Sequence, residues 1–216
     1  MNDFEIIPMT PSHVDEVARL HQRCFPDYFL THLGQTFLRR YYLEFCRHST
    51  DYALVACCKT GDPVAGVVVG SADAQAHFRS LYRRNMLLFA PLVGWRVIVD
   101  STIRRAIWQR MAHLRAAARS VIPGFRKPAS APLSDKGPKN QCPMRLLGIA
   151  VAPEYRGSGL AARLTECFET LLRQAGHPRV GLSVLPENQR AIAFYRKTGW
   201  QVTHASEAGS WFEKDL

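Results

Sequence analysis

Residues 152–164, APEYRGSGLAARL, place an arginine and two glycines between an apolar run, RLLGIAV (145–151), and a run with helical spacing. A glycine-bearing loop at the start of a helix presents backbone N–H groups at the positive end of the helix dipole, where phosphate oxygens bind. Glycine suits the position because a side chain would hold the phosphate away from the backbone. Arg156 adds a charged donor at the rim. Two other phosphate motifs fit less well. GSGLAA matches the loose G-x-G-x-x-A of dinucleotide folds, but that fold needs its motif early, and only two β–α steps and short β segments follow here. The loop of nucleotide hydrolases needs a Gly-Lys-Ser/Thr that this chain lacks at that point. A tight turn without a ligand is the plain structural alternative.

The elements that must hold this loop follow from periodicity. Residues 4–9 read as a strand, and Thr10-Pro11-Ser12 starts a helix with Val14, Val17, Ala18 and Leu20 on its apolar face. CFPDYFLTHLG breaks the pattern. A second helix is expected over roughly 35–47, then two β-rich runs, 52–58 and 63–71, joined by KTGD as a hairpin. The last third alternates: strand 145–151, helix about 157–175, strand 179–185, helix about 189–198, and short β segments near 200–204 and 210–214. Asn188 is placed to cap the helix at 189, and Gly176 and Gly199 to end the two helices.

At 216 residues and 24.4 kDa the chain has the size of a single domain. Its six cysteines form no C-x-x-C pair and have no histidines at zinc spacing, so reduced, mostly buried thiols and no metal site are expected. No stretch is apolar for long enough to act as a signal peptide or a membrane span, and a cytoplasmic protein is expected. Between Arg79 and Lys127 eleven basic residues face one acid, Asp100, so this segment carries the whole net charge of +10. Residues 74–122 read as helical and basic, and 123–143 as a proline-rich loop.

The run LLGIAVAPEYRGSGLAARLTECFE, followed by GLSVLPENQRAIAFYRKTGW, resembles the GNAT superfamily of N-acetyltransferases. Its loop pattern, Q/R-x-x-G-x-G/A, is met by Arg156, Gly159 and Ala161. Its later pattern, N-x-x-A-x-x-F-Y-x-x-x-G-F/W, is met by Asn188, Ala191, Phe194, Tyr195, Gly199 and Trp200. The resemblance covers about 1–73 and 145–216, leaving 74–144 as a basic helical insertion with a Pro-rich loop inside one acetyltransferase domain, 1–216. It implies an α/β (α+β) fold: a mixed, mostly antiparallel sheet with splayed parallel central strands, flanking helices, and the insertion between strands 3 and 4.

Acetyl-CoA is then the implied co-substrate, and no metal is. Its pyrophosphate would lie on Arg156, Gly157, Ser158, Gly159, Leu160 and Ala161, and its pantetheine along Ile149 and Val151 in the manner of an added strand. Asn188 and Tyr195 complete the implied cofactor site. By the same analogy the Val151 N–H polarises the thioester carbonyl and Tyr195 assists the departing sulfur. A phenol near pKa 10 is a weaker acid than a thiol near 8.5, so full proton transfer is uphill by roughly 2 kcal/mol and hydrogen bonding is the better role. A tyrosine merely packed in its helix is the structural alternative. Some members carry a glutamate where this chain has Ser183, which leaves Asp27 and His32 as acceptor-side candidates and Glu154 as a solvated turn residue.

The insertion is expected at the edge of the sheet opposite the pyrophosphate loop, together with the final β reversal near 205–209, where it would cap the acceptor site and attract an anion. The expected acceptor is an amine, with an amino sugar or nucleotide-linked sugar placed first and a protein or peptide amine second. Peripheral contact with an anionic membrane is a further expectation; nucleic acid is not expected as a partner. A non-catalytic, membrane- or RNA-associated CoA-binding protein is the alternative of a different class.

Overall fold

The computed structural model describes residues 4–58, 64–85, 142–207 and 209–216, with Phe29 by its backbone alone. Most of the expected basic insertion, including its Pro-rich loop up to residue 141, falls outside the described residues. Seven strands make one sheet: β1 (Phe4–Pro8), β2 (Asp51–Cys58), β3 (Gly66–Ser71), β4 (Arg145–Val151), β5 (Arg179–Val184), β6 (Gln201–Ser206) and β7 (Gly209–Asp215). Their order is β1-β2-β3-β4-β5-β7-β6, and every neighbouring pair except β4·β5 is antiparallel. The helices are α1 (Val14–Cys24), α2 (Phe29–His32), α3 (Gln35–Glu44), α4 (74–85), α5 (Leu160–Gln174) and α6 (Gln189–Lys197). This is the mixed, mostly antiparallel architecture expected.

The feature that matters for function is the parting of β4 and β5. They pair in parallel only at Arg145·Gly181, where the Gly181 N–H also donates to the Met144 carbonyl at 2.9 Å. On the other side of β4 the register with β3 shifts between Val69 and Gly70, leaving Leu147 as an extra residue. Such a bulge bends its strand and increases the local twist, and beyond it β4 no longer follows β5.

Alternation along the strands sorts the side chains between two faces. Val180, Leu182, Val184 and Phe212 join Val68, Leu160, Leu164, Phe168 and Leu172 in the main core, which lies between the sheet and α5. On the first half of the sheet α1 contacts β3 and β4 and packs against α3. α4 is tied to the same side: the Ser80 hydroxyl donates to the buried Glu44 carboxylate at 2.5 Å, and His77 meets Asp51 at 2.7 Å.

Three expectations need correction. The segment after α1 is not wholly irregular, since Phe29–His32 form a short helix. The thiols are all free, but only Cys142 is buried, Cys167 is exposed and the other four are half-buried. The final β reversal also lies at the other end of the sheet from the one expected. Ser71 pairs with Arg145, Arg145 with Gly181 and Gly181 with Glu213, whereas the β6–β7 reversal at Ser206·Gly209 lies beyond Val184·Ser210. The chain therefore departs after β3, and returns at Cys142, far along the strands from that reversal.

The connection from α1 to α2 is seated on a buried imidazole. His21 Nδ1 lies 2.8 Å from the Tyr42 hydroxyl of α3, the ring contacts Phe25 and Tyr28 at centroid distances of 5.1 and 6.2 Å, and Nε2 is buried with no partner among the described residues. Burial lowers its pKa from 6.5 to about 4. Above pH 6.5 the ring is neutral in both folded and unfolded chains. As the pH falls the unfolded chain takes up the proton first, so stability is lost progressively and the loss is complete below about pH 4, where it reaches about 3 kcal/mol. Thermal unfolding followed from pH 7 to pH 5 should show this slope in the wild type, and His21→Leu should flatten it even if its melting temperature at pH 7 is lower.

Candidate functional site

A cleft of about 670 Å³ opens where β4 and β5 part, and β4, the glycine loop, α5, α6 and the end of α1 line it. Its β4 wall is a row of outward-facing peptide groups. Across the Gly66·Val151 pair the hydrogen bond runs from Ala152 N–H to the Ala65 carbonyl at 2.9 Å, the pattern of a non-hydrogen-bonded antiparallel pair. Val151, and by alternation Ile149, therefore turn their own N–H and C=O away from β3 and toward the gap that β5 has vacated.

The glycine loop continues this wall. Pro153–Tyr155 form a single 3₁₀ turn, after which Gly157 and Gly159 both have φ of 84°. A Cβ at either would meet nothing within 4 Å, so the left-handed backbone, and not crowding, is what calls for glycine. Gly159 is the N-cap of α5 and offers no side chain to satisfy the first turn. Among the described residues the amides of Gly157, Gly159, Ala161 and Ala162 find no acceptor. The Ser158 N–H, expected among the binding groups, donates to the Tyr155 carbonyl at 3.4 Å, as does its hydroxyl at 2.7 Å, and the residue does not line the cleft.

The charge of the lining is one-sided. Arg156, Arg190 and Lys197 contribute three cations, and no described lining residue is a carboxylate. Asp27 and His32, the acceptor-side candidates, do not line the cleft; Asp27 is exposed and His32 is half-buried on α2. Ser183 is exposed on the sheet face opposite Leu182, beside Trp211 of β7. Glu154 is not merely solvated, because Arg23 at the end of α1 grips both of its oxygens at 2.7 and 2.6 Å, which holds the carboxyl below its usual range.

α6 brings in the remaining predicted residues. Asn188 caps it, its side chain accepting the Ala191 N–H at 3.1 Å. Tyr195 lines the cleft yet is only 4 % exposed, with Trp200 and Phe212 against its ring at 5.4 and 5.9 Å. Burial pushes its phenol well above the ordinary tyrosine range. Cys24 was not anticipated. Its Sγ–H donates to the Val151 carbonyl at 3.3 Å, and burial raises the thiol pKa against the opposing pull of Arg156. Nothing in the sequence near Cys24 signals a contact 127 residues away.

The acetyltransferase (GNAT) family model matches residues 139–200, the stretch that forms β4, the glycine loop, α5, β5 and α6. That segment is similar to the GNAT superfamily. The fold is also that of PaiA N-acetyltransferase from Thermoplasma acidophilum, solved in complex with coenzyme A, with a TM-score of 0.57, 12 % identity and 99 % of each chain covered. An aminoglycoside 6′-N-acetyltransferase from Acinetobacter baumannii gives 0.54 at 16 % identity, over 94 % of this chain and 95 % of that one. A local sequence match joins the chain to N-alpha-acetyltransferase 30 of Schizosaccharomyces pombe, 31 % identical over 52 residues. That match spans 24 % of this chain and 35 % of the relative.

If the backbone at the GNAT loop is what demands glycine, Gly157→Ala and Gly159→Ala should each lower stability by about 1 kcal/mol from a left-handed alanine alone. Thermal denaturation of the two variants measures it, and an unchanged melting temperature would show that the loop can relax to negative φ.

Proposed function

We propose that this chain transfers an acetyl group from acetyl-CoA to an amine. The observation that carries the reading is the line of peptide groups turned toward the cleft, from Ile149 and Val151 in the parted sheet, where only the weak Cys24 thiol meets the Val151 carbonyl among the described residues, to the open amides of the glycine loop. A strand-like, amide-bearing chain ending in a diphosphate matches that line in both shape and polarity. The three cations and missing carboxylates of the lining favour an anionic ligand.

In this reading the amides of Gly157, Gly159, Ala161 and Ala162, with Arg156 beside them, hold phosphate oxygens, and Ile149 and Val151 hold the pantetheine. Acetyl-CoA supplies the thioester whose acyl carbon accepts the amine. The Val151 N–H is the donor for the carbonyl oxygen as negative charge develops there. Tyr195 stabilises the departing sulfur by donating a hydrogen bond. It does not surrender its proton, because burial makes an already weak acid weaker still. No described side chain lining the cleft can act as a carboxylate base, so the acceptor reaches the cleft as the neutral amine, having lost its proton to water.

For the acceptor we place an amino sugar first. Its support is a shared fold with aminoglycoside acetyltransferases. A peptide N-terminus is second, supported by the local likeness to an N-alpha-acetyltransferase. Release of free CoA from acetyl-CoA, measured across a panel of amino sugars, peptides and small amines, separates the two.

Tyr195→Phe should lower kcat by about tenfold or more while changing the KM for acetyl-CoA by less than about threefold, since it removes an interaction made chiefly in the transition state. Equal loss in both constants would place the phenol in ground-state binding. With the base supplied by solvent, kcat/KM should rise with pH up to the pKa of whichever amine is used and shift when that amine is exchanged. A profile that ignored the amine would require a titrating group on the protein.

A further inference from the structure

Lys214, on β7, ends in an ammonium with three partners for its three hydrogens: Glu169 Oε1 at 3.0 Å, Glu169 Oε2 at 2.7 Å and the Thr198 carbonyl at 2.9 Å. The Glu169 side chain is 8 % exposed and that of Lys214 is 26 % exposed, so the pair is largely withdrawn from water. A partly buried ion pair is weak evidence for stability, because desolvation offsets much of the attraction. What this pair does have is geometry: it joins α5 through Glu169, β7 through Lys214 and the C-terminal end of α6 through Thr198.

That end of α6 is where Tyr195 is fixed. The Tyr195 carbonyl accepts from the Thr198 N–H at 3.2 Å, the Thr198 hydroxyl at 3.2 Å and the Trp200 N–H at 3.0 Å. The Gly199 N–H closes on the Arg196 carbonyl at 3.2 Å with Gly199 at φ of 86°. Together these make a Schellman closure of the helix. The closure leaves the Lys197 and Thr198 carbonyls without a backbone donor among the described residues, and Lys214 takes that of Thr198, with a cation placed where the helix dipole favours one. Thr198 itself lines the cleft, while Lys214 and Glu169 stand behind it in a separate polar recess.

We infer that Lys214, braced by Glu169, is a positioning residue that sets the Tyr195 phenol against the departing sulfur. The inference rests on the acetyl-transfer reading. A helix end released from this brace keeps its own hydrogen bonds and its cap at Asn188, but its depth against α5 is no longer set. An error of about 1 Å in placing a catalytic group can cost up to a hundredfold in rate. The amides that hold phosphate lie in the loop and the first turn of α5, about two helical turns before Glu169, so cofactor binding is spared.

The test is a double-substitution cycle read in kcat, with acetyl-CoA and an amine that the wild type acetylates. Lys214→Met should lower kcat about tenfold, leave the affinity for CoA measured by calorimetry within about twofold, and cost nothing further in the Tyr195→Phe background. Glu169→Gln, which leaves the contact to Thr198 in place, should give a smaller loss that also vanishes in that background, and it serves if Lys214→Met does not fold. Losses that multiply with Tyr195→Phe, or a tenfold loss of CoA affinity at unchanged kcat, would overturn the inference while leaving acetyl transfer standing. A wild type that binds CoA but acetylates no amine would remove both.

Discussion

Two parallel strands that hydrogen-bond at one rung and then separate leave their facing peptide groups without partners, and the rest of the site is built around that deficit. In a closed sheet the N–H and C=O groups of Ile149 and Val151 would be spent on β5. Here the bulge at Leu147 turns β4 aside just past Arg145, so the groups survive as a binding edge. An unpaired sheet edge usually invites another strand. Placing it inside a cleft, between α6 and the end of α1, restricts what can use it to a slender chain with amides of its own. The glycine loop lies at the end of the same edge, and its open amides give that chain a terminus.

The electrostatics of the cleft follow the same division of labour. Arg156, Arg190 and Lys197 line the cleft together with two phenols, of which that of Tyr195 is buried. Burial raises the phenol pKa, which keeps Tyr195 protonated and able to donate at any ordinary pH, and the same shift rules it out as an efficient source of a whole proton. One physical cause thus both preserves the donor and limits its chemistry.

Those parts of the site that depend on local backbone were legible in the residues themselves. Gly157 and Gly159 announce a bare loop, although it is the left-handed backbone that calls for them, Asn188 announces a cap, and Gly199 a helix end. The hairpin β2–β3 and the alternation of the last third follow from periodicity, and the sheet that assembles them agrees with the resemblance. Legibility fails where contacts are distant in sequence. Cys24 reaches Val151, Arg23 grips Glu154, and Lys214, held by Glu169, braces Thr198; no local pattern marks any of these contacts. Register is equally silent. The misplaced final reversal came from not knowing that Ser71, Arg145, Gly181 and Glu213 stand in one row across four strands.

The Cys24 thiol on the Val151 carbonyl has a consequence for how the edge is used. A bare carbonyl in a partly dry cleft is costly, whereas a thiol is among the weakest of donors. Cys24 thus works as a placeholder. It keeps the oxygen from being orphaned while the cleft is open, and it yields readily to an incoming amide N–H, whose stronger bond more than replaces what is given up.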